Sequence, residues 1–386
     1  MIRSVPKLYL LLWVLIHPEH SSAQAGLPTQ TVIPTQAASE QDPSSHFLRV
    51  VVDSAAEHST MFPDSLRLFV EGNEVPITRS QPPGAEDAAL HALLFIDEVF
   101  VSPRDRDQAL HQLRLSLSEM APTDRLAVVA YDGTQLEVLA PWSPPGEEIF
   151  EALERAARRP AQGLLRRSER RRQEVLDRRR SRPPDADSFA GVGFSGSLRT
   201  RQVDLGDQDS LRDLARRSAA AAADALESQW QALGAPEGLG ALLLVSGGWL
   251  PPGALSAECE TFAAPLLLAL ERTGYAVYPV AAHPSNRPPF EAPAPDPLLL
   301  HLAVESGGQD STVDRGALEL ALADAREHIL LSFSLPTEPP QDEIGRGSLE
   351  IRSEVPDVLV RRIGTIWGGL NASETHPTVS RPRYDP

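Results

Sequence analysis

The hydrophobic pattern of the central chain alternates between short apolar runs and longer segments with helical spacing. The start of a helix is marked by Ser102, which is followed by Pro103 and, three residues on, by Asp105. Apolar residues then follow at helical intervals. The runs that predict strands are Leu93–Ile96, Leu126–Tyr131, Leu136–Leu139, Ala241–Val245 and Tyr275–Val280. This alternation predicts an α/β fold, in which a doubly wound, mostly parallel sheet is covered by helices on both faces.

Shorter strand patterns occur on both sides of this central region. Residues 46–80 and residues 328–365 each contain about three strand-like segments. Neither set can readily bury a face alone, because isolated hairpins are marginal in water. We therefore predict one small β-sandwich made by both sets, with the α/β domain at residues 88–327 inserted between its halves. Residues 26–45 and 366–386 are predicted to be a linker and a disordered tail.

The first 25 residues have the pattern of a secretory signal peptide. Arg3 and Lys7 precede the apolar stretch Leu8–Ile16, and the small-residue site Ala23-Gln24-Ala25 follows. We expect export to the periplasm or the outside of the cell. We also expect no transmembrane helix in the mature chain, since no later segment approaches about 20 uninterrupted apolar residues.

Composition and charge exclude several classes of function. The chain has 36 Lys and Arg residues against 53 Asp and Glu residues, which gives a formal net charge of −17. We therefore expect no nucleic-acid partner, because such binding depends on basic side chains that neutralise phosphates. Lys7 is the only lysine, so the mature chain lacks the amine needed for Schiff-base chemistry or for a P-loop.

Residues Arg155–Arg182 form a stretch crowded with arginine. One interpretation is a solvated helical insertion that projects from the domain, held by pairs such as Glu169 with Arg172. The other interpretation is a binding segment for an anionic polymer or for lipid head groups. The first is favoured because the interleaved aromatic residues of a nucleic-acid binder are missing. Residues 183–200 are predicted to be a mobile loop.

Two motifs with catalytic associations lack the sequence context that their chemistry requires. Gly191–Gly196 matches G-x-G-x-x-G, but no apolar strand precedes it to aim backbone amides at a pyrophosphate. Ser246-Gly247-Gly248 lacks the G-x-S-x-G elbow of a hydrolase, and no histidine lies beside it in sequence. We therefore expect no catalytic residues, and an exported hydrolase that uses Ser246 or the acidic cluster remains an alternative.

The order of these segments resembles the bacterial von Willebrand factor type A-related proteins first noted in acidobacteria. The resemblance implies a doubly wound sheet of the type A kind and a binding role. Many such domains hold Mg²⁺ through a D-x-S-x-S loop, a threonine in a second loop and an aspartate in a third. The segments that carry the resemblance are Val50–Asp53, Phe69–Asn73, the strand that ends in Asp97, Pro122–Val129, Leu242–Gly248, Val277–Val280, Leu302–Gly308 and His328–Phe333.

The metal-binding pattern of that family is incomplete in this chain. Only Asp97 can be carried over, because Val99 and Val101 replace both hydroxyl residues and Gly247 stands in place of the third-loop aspartate. Mg²⁺ prefers nearly octahedral oxygen ligation, so we expect a degenerate metal-ion-dependent adhesion site with no metal or other cofactor. The alternative is a protein that binds Mg²⁺, Ca²⁺ or Mn²⁺ through a rearranged carboxylate site. Its ligands would be Asp97, Glu98 and Asp132.

The leading hypothesis is an exported, non-enzymatic protein-interaction or adhesion-type module that binds a protein partner through the top of its sheet. The alternatives are the metal-dependent binding protein and the hydrolase. The two valines of the Asp97 loop would supply an apolar contact or would be buried under a neighbouring loop. The candidate contact residues are Asp97, Val99, Val101, Ser246 and Gly247.

Overall fold

The computed structural model describes the chain between residues 45 and 366, apart from several gaps. The described ranges are 45–54, 65–70, 72–82, 88–180, 206–234, 238–250, 256–280, 296–310, 316–334, 349–355 and 358–366. The predicted signal peptide, linker, mobile loop with its G-x-G-x-x-G match, and almost all of the tail lie outside these residues. No helix among the described residues combines the length and the apolar character needed to cross a membrane.

The described residues contain twelve strands and seven α-helices. In chain order, the strands are β1 (Ser45–Ser54), β2 (Leu66–Val70), β3 (Asn73–Val75), β4 (Ile77–Gln81), β5 (Leu90–Asp97), β6 (Arg125–Tyr131), β7 (Leu136–Ser143), β8 (Leu239–Val245), β9 (Tyr275–Pro279), β10 (Ile329–Ser334), β11 (Leu349–Ser353) and β12 (Val358–Ile366). The helices are α1 (Pro103–Ser116), α2 (Glu147–Arg158), α3 (Gly163–Arg180), α4 (Gly206–Leu233), α5 (Ser256–Thr273), α6 (Pro297–Ser306) and α7 (Ala317–Glu327).

Five strands form the central sheet, in the order β7-β6-β5-β8-β9. Strands β6, β5, β8 and β9 run parallel, and β7 is an antiparallel edge strand. One face packs against α1, α2 and α7, and the other packs against α4, α5 and α6. The predicted α/β fold with a mostly parallel sheet is confirmed. All of β8 and nearly all of β5 are buried, as expected for strands covered on both faces.

Helix α1 begins as its sequence predicts. Ser102 has an extended backbone, and its hydroxyl oxygen accepts a hydrogen bond from the Asp105 amide at 3.2 Å. Pro103 occupies the first turn, where its missing N–H removes no helical hydrogen bond. This cap fixes the direction of the chain as it leaves the Asp97 loop.

Strands from the two ends of the chain pair with each other in two smaller sheets. The first sheet has the order β12-β1-β10-β4, and the second has the order β11-β2-β3. Strand β1 pairs with β10 and β12, and β2 pairs with β11, all antiparallel. Both sheets contribute to one apolar cluster, which contains Leu48, Leu68 and Phe333. The pairing of N-terminal with C-terminal strands is therefore part of the structure, and a closed β-sandwich stays a prediction.

A buried ion pair joins this β region to the central domain. Arg361 on β12 donates to Asp324 on α7 at 2.9 Å, and it also donates to the Gly307 carbonyl at 2.7 Å. The Tyr278 hydroxyl on β9 donates to the same carboxylate at 2.8 Å. A side chain at Gly307 would overlap the Arg362 carbonyl, since its Cβ would lie 1.5 Å from that oxygen. Close backbone contact and paired charges together hold the two regions.

The Arg-rich segment differs from the single projecting helix that we expected. It contains the end of α2 and then α3, with a break around Arg159, whose backbone is extended. Pro160 explains the break, because a residue before proline is disfavoured from helical geometry. Helix α3 lies against the domain through an ion pair of Arg167 with Asp105. Glu169 pairs with Arg166 at 3.0 Å, not with the expected Arg172.

Candidate functional site

The Asp97 carboxylate lies at the carboxyl end of β5 and is fully buried. Its Oδ1 accepts hydrogen bonds from the Val99 amide at 3.1 Å and from the Ser218 hydroxyl at 3.3 Å. Its Oδ2 accepts from the Ser246 hydroxyl at 2.9 Å and from the indole N–H of Trp249 at 2.5 Å. Four donors from three parts of the chain therefore surround one carboxylate.

These donors compete with burial in setting the pKa of Asp97. Burial raises the pKa from 3.8 to about 6, and the hydrogen bonds from Trp249, Ser246, the Val99 amide and Ser218 each lower it. A carboxylate has about four lone-pair positions, so four donors leave none for a cation. The Trp249 indole has no acceptor atom and cannot act as an oxygen ligand. The residues around Asp97 therefore do not fit a divalent cation.

The two valines of this loop are buried in the cores on opposite faces of the sheet. Val99 has 1% of its surface exposed and packs with the α4 and α5 side, while Val101 is fully buried with the α1 and α2 side. Gly247 lies in the neighbouring loop after β8, and a Cβ at this position would lie only 2.0 Å from the carbonyl oxygen of Phe100. An aspartate at position 247 therefore cannot be added without moving one of the two loops.

Three of the candidate contact residues, Asp97, Val99 and Val101, are therefore buried. The segment before α3 covers their loop, because the Gln162 amide donates to the Glu98 carbonyl at 2.7 Å and the Gly163 amide donates to the Val101 carbonyl at 2.9 Å. Ser246 is also buried, and Gly247 is partly exposed.

The structure does not bring the three candidate metal ligands into one site. Glu98 is buried, and its Oε1 accepts from Arg159 Nε at 2.5 Å. Burial raises the pKa of Glu98, and the guanidinium lowers it. Asp132 accepts from the amides of Thr134 at 2.7 Å and Gln135 at 2.8 Å, which lowers its pKa. No group of three or more His, Cys, Asp or Glu side chains within the described ranges is arranged to hold a metal ion.

The loop that follows β8 is held from two sides by charged residues. Asp296 caps the first turn of α6 and also accepts from the Leu250 amide at 2.8 Å. Burial raises the pKa of Asp296, and those amide hydrogen bonds lower it. Arg170 donates to the carbonyls of residues 248–250 at 3.2 to 3.4 Å and lies 6.0 Å from the Phe100 ring centroid. Both charges hold the loop that places Trp249 against Asp97.

Ser246 is not arranged as a nucleophile. Its hydroxyl donates to Asp97 and accepts from the Gly248 amide at 3.3 Å. In the part of the chain that the structure describes, no histidine forms a hydrogen bond with it. A nucleophilic serine needs a face that is open to the substrate, and the Ser246 side chain is buried.

Sequence reasoning missed four residues that shape this edge of the sheet. Ser218 lies within an alanine-rich run of α4, and Trp249 follows directly after the Ser-Gly-Gly motif. Arg159 and Arg170 fall in the Arg-rich segment, where they were treated as solvated charges. The only local signal was the alanine-rich run, whose low polarity predicts a buried helix. The pairing of these residues with acids far away in sequence had no local signal.

No family model matches the chain, and no curated protein matches it. The solved structures to which the chain shows low similarity include three examples. They are the TFIIH p34 N-terminal domain (TM-score 0.32, 11% identity, 63% of this chain and 99% of that chain), von Willebrand factor type A from Catenulispora acidiphila (TM-score 0.32, 12% identity, 74% and 50%) and the SpRpn10 VWA domain (TM-score 0.22, 12% identity, 58% and 100%). All three TM-scores lie below 0.5, so these similarities support no argument about function.

Proposed function

We propose that the protein is an exported, non-enzymatic interaction module of the type A kind, which binds a protein partner without a metal ion. The observation that carries this proposal is the set of four protein donors on the Asp97 carboxylate. A cation-dependent partner needs free carboxylate oxygens at the loop end of the sheet. In this chain those oxygens are occupied by hydrogen bonds.

Two further features support the loss of metal dependence. Val99 and Val101 supply no oxygen and belong to the cores on either face of the sheet. Gly247 faces the Phe100 carbonyl too closely for a carboxylate side chain. Restoring the site would therefore need changes in two loops and in the packing beneath them.

The non-enzymatic part of the proposal rests on how the reactive side chains are used. Asp97 is fully buried and Ser246 is only 7% exposed, so neither side chain is accessible to a substrate. Export is proposed from the N-terminal sequence, in which basic Arg3 and Lys7 precede an apolar stretch. An adhesion-type role outside the cytoplasm is consistent with both features.

A second candidate is a metal-dependent binding protein that uses Glu98 and Asp132. One observation favours it, because Glu98 Oε2 is buried and has no hydrogen-bond partner. Against it stands Arg159, whose guanidinium lies 2.5 Å from the other oxygen of the same carboxylate. A cation bound there would have to share Glu98 with a fixed positive charge.

Capture of partners by the immobilised full chain tests the proposal against this candidate. Extracts of the extracytoplasmic fraction of the source organism are applied in a chelator and separately in Mg²⁺, Ca²⁺ or Mn²⁺. The proposal predicts the same captured proteins in every condition. Capture that requires a metal and is lost in a Glu98→Gln/Asp132→Asn variant would favour the second candidate instead.

A further inference from the structure

Helix α3 covers the loop end of the central sheet. The N-terminus of α3 is hydrogen-bonded to the Asp97 loop, because the Gly163 amide donates to the Val101 carbonyl at 2.9 Å. Two turns further on, Arg170 donates to the Gly248 and Leu250 carbonyls of the loop after β8. A partner that approaches this end of the sheet therefore meets the outer face of α3 above the loops themselves.

The inner and outer faces of α3 differ in how their arginines are used. Arg166 and Arg167 pair with Glu169 and Asp105, and Arg170 donates to backbone carbonyls. The outer face is defined by six exposed residues. They are Leu164, Leu165, Ser168, Arg171, Arg172 and Val175.

Four of these residues form one stripe along the helix. Leu164, Ser168, Arg171 and Val175 are spaced by four, three and four positions, which places them on the same side. At about 1.5 Å per residue, the stripe is about 16 Å long, or three helical turns. Aliphatic side chains therefore lie at both ends of the stripe, with arginine between them.

The exposure and charge of this face point to a partner. Leu164 is 62% exposed, Leu165 54% and Val175 47%, which is a large apolar area for one polar helix. Neither Arg171 nor Arg172 forms an ion pair among the residues that the structure describes, although the chain as a whole carries a net charge of −17. Arginine with apolar neighbours is enriched in protein interfaces, and positive patches select negative ones.

We propose that the outer face of α3 is the docking surface of the module and that its occupant is an acidic segment of another protein. This inference rests on the function proposed above and names the chemistry of the partner. The segment carries aliphatic side chains that cover Leu164 and Val175, with carboxylates between them that pair with Arg171 and Arg172. Its length matches about three turns of helix.

Other anionic occupants fit this face less well. A polysaccharide or nucleic acid would pair with the arginines but has no aliphatic surface for Leu164 and Val175, and the face lacks the aromatic residues on which bases stack. A lipid surface requires a broad apolar face with many inserted side chains. Three separate aliphatic residues do not form such a face, so a protein segment is the occupant that matches both features.

Selection from a displayed library of random 16-residue peptides on the full chain, in chelator, tests this inference. The test variant is Arg171→Glu/Arg172→Glu. The control variant is Arg158→Glu/Arg272→Glu, which makes the same charge change at exposed positions on α2 and α5, with 76% and 64% of those side chains exposed. Circular dichroism and thermal unfolding establish that each variant is folded.

The wild type and the control variant are expected to enrich peptides rich in Asp, Glu and aliphatic residues. The Arg171→Glu/Arg172→Glu variant is expected to lose them and to enrich basic peptides instead. For a single enriched peptide, this variant should weaken binding about tenfold or more, since two attractive charged contacts become repulsive. Leu164→Ser/Leu165→Ser should weaken the same peptide about fivefold, because apolar contact is lost.

Enrichment of the same peptides by the charge-reversed variant would overturn the inference. It would also be overturned if no acidic peptide were enriched. In that case, Arg171-dependent binding of heparin or of phosphatidylglycerol vesicles would identify an anionic polymer or a lipid surface as the occupant. The experiments distinguish failure of the docking-surface inference from failure of the proposed function. Capture of partners that requires a metal ion contradicts the metal-free module, whereas metal-free capture that is unchanged by charge reversal on α3 contradicts only the docking surface.

Discussion

The indole N–H of Trp249 donates a hydrogen bond of 2.5 Å to Oδ2 of Asp97, and both side chains are buried. A fixed N–H donor thus faces the carboxylate that the family resemblance would assign to a metal ion. The carboxylate remains in the chain and keeps its place at the end of β5. It accepts hydrogen bonds that tie together α4, the loop after β8 and its own loop.

Replacing Trp249 with phenylalanine tests the strength of this contact. We expect Trp249→Phe to reduce the free energy of unfolding by about 1–3 kcal/mol, because a buried charged acceptor loses a donor. Trp142→Phe is the matched control, since Trp142 donates to a neutral carbonyl of Gln229 at 2.8 Å and should cost only about 1 kcal/mol. Chemical denaturation of both variants measures the difference. Equal losses of unfolding free energy would show that the hydrogen bond to Asp97 contributes no more to stability than the hydrogen bond to Gln229.

The pKa of Asp97 predicts a pH dependence of stability. Because the folded state binds this proton more tightly than the unfolded chain, its contribution is complete below about pH 4 and is lost as pH rises to about 6. A change from 3.8 to about 6 corresponds to about 3 kcal/mol, since one pKa unit is worth about 1.36 kcal/mol. Denaturation of the wild type and of Asp97→Asn at a series of pH values measures it. The difference between the two proteins should change over this range, and a constant difference would argue against a raised pKa.

Gly247 is expected to reject the aspartate that the family pattern would place there. Gly247→Asp and Gly247→Ala should each reduce the free energy of unfolding by about 2 kcal/mol or more, because the new Cβ overlaps the Phe100 carbonyl. Gly146→Ala is the control, since the nearest atom to a Cβ at Gly146 lies at 3.9 Å. Thermal unfolding compares the three variants. A Gly247→Asp protein that is as stable as the wild type and gains Mg²⁺ binding would contradict the packing described for these loops.

The ion pair of Arg361 with Asp324 is expected to couple the β region to the central domain. Arg361→Met should cost about 3–5 kcal/mol, because it leaves a buried carboxylate without its partner. The double variant Arg361→Met/Asp324→Leu should recover much of this loss, which a double-mutant cycle measures. Losses that simply add would show that the two side chains act independently.

Much of the central fold could be predicted because its strands are buried on both faces. Runs such as Leu93–Ile96 and Ala241–Val245 are almost purely apolar, and the Ser102 cap lies beside its helix in sequence. Helix α4 was missed because alanine is its commonest residue and gives little hydrophobic contrast along the chain. The break after α2 had a clear signal in Pro160, which the density of arginines obscured.

Asp97 and Ser246 are residues of the candidate site that could be named from the sequence. The apolar run before Asp97 places the carboxylate at the sheet edge, and the side chains of Val99 and Val101 carry no oxygen. Two of the donors to this carboxylate come from Ser218 and Trp249, which are 121 and 152 positions away. Such contacts depend on the packing of complete elements, so no local pattern could indicate them.

Isothermal calorimetry with Mg²⁺, Ca²⁺ and Mn²⁺ on the full chain tests the absence of a metal-binding role for Asp97 most directly. Because all four donors to Asp97 come from the protein itself, we expect no saturable heat for any of the three ions. The same result is expected for Asp97→Asn. Stoichiometric binding to the wild type that disappears in Asp97→Asn would contradict the account.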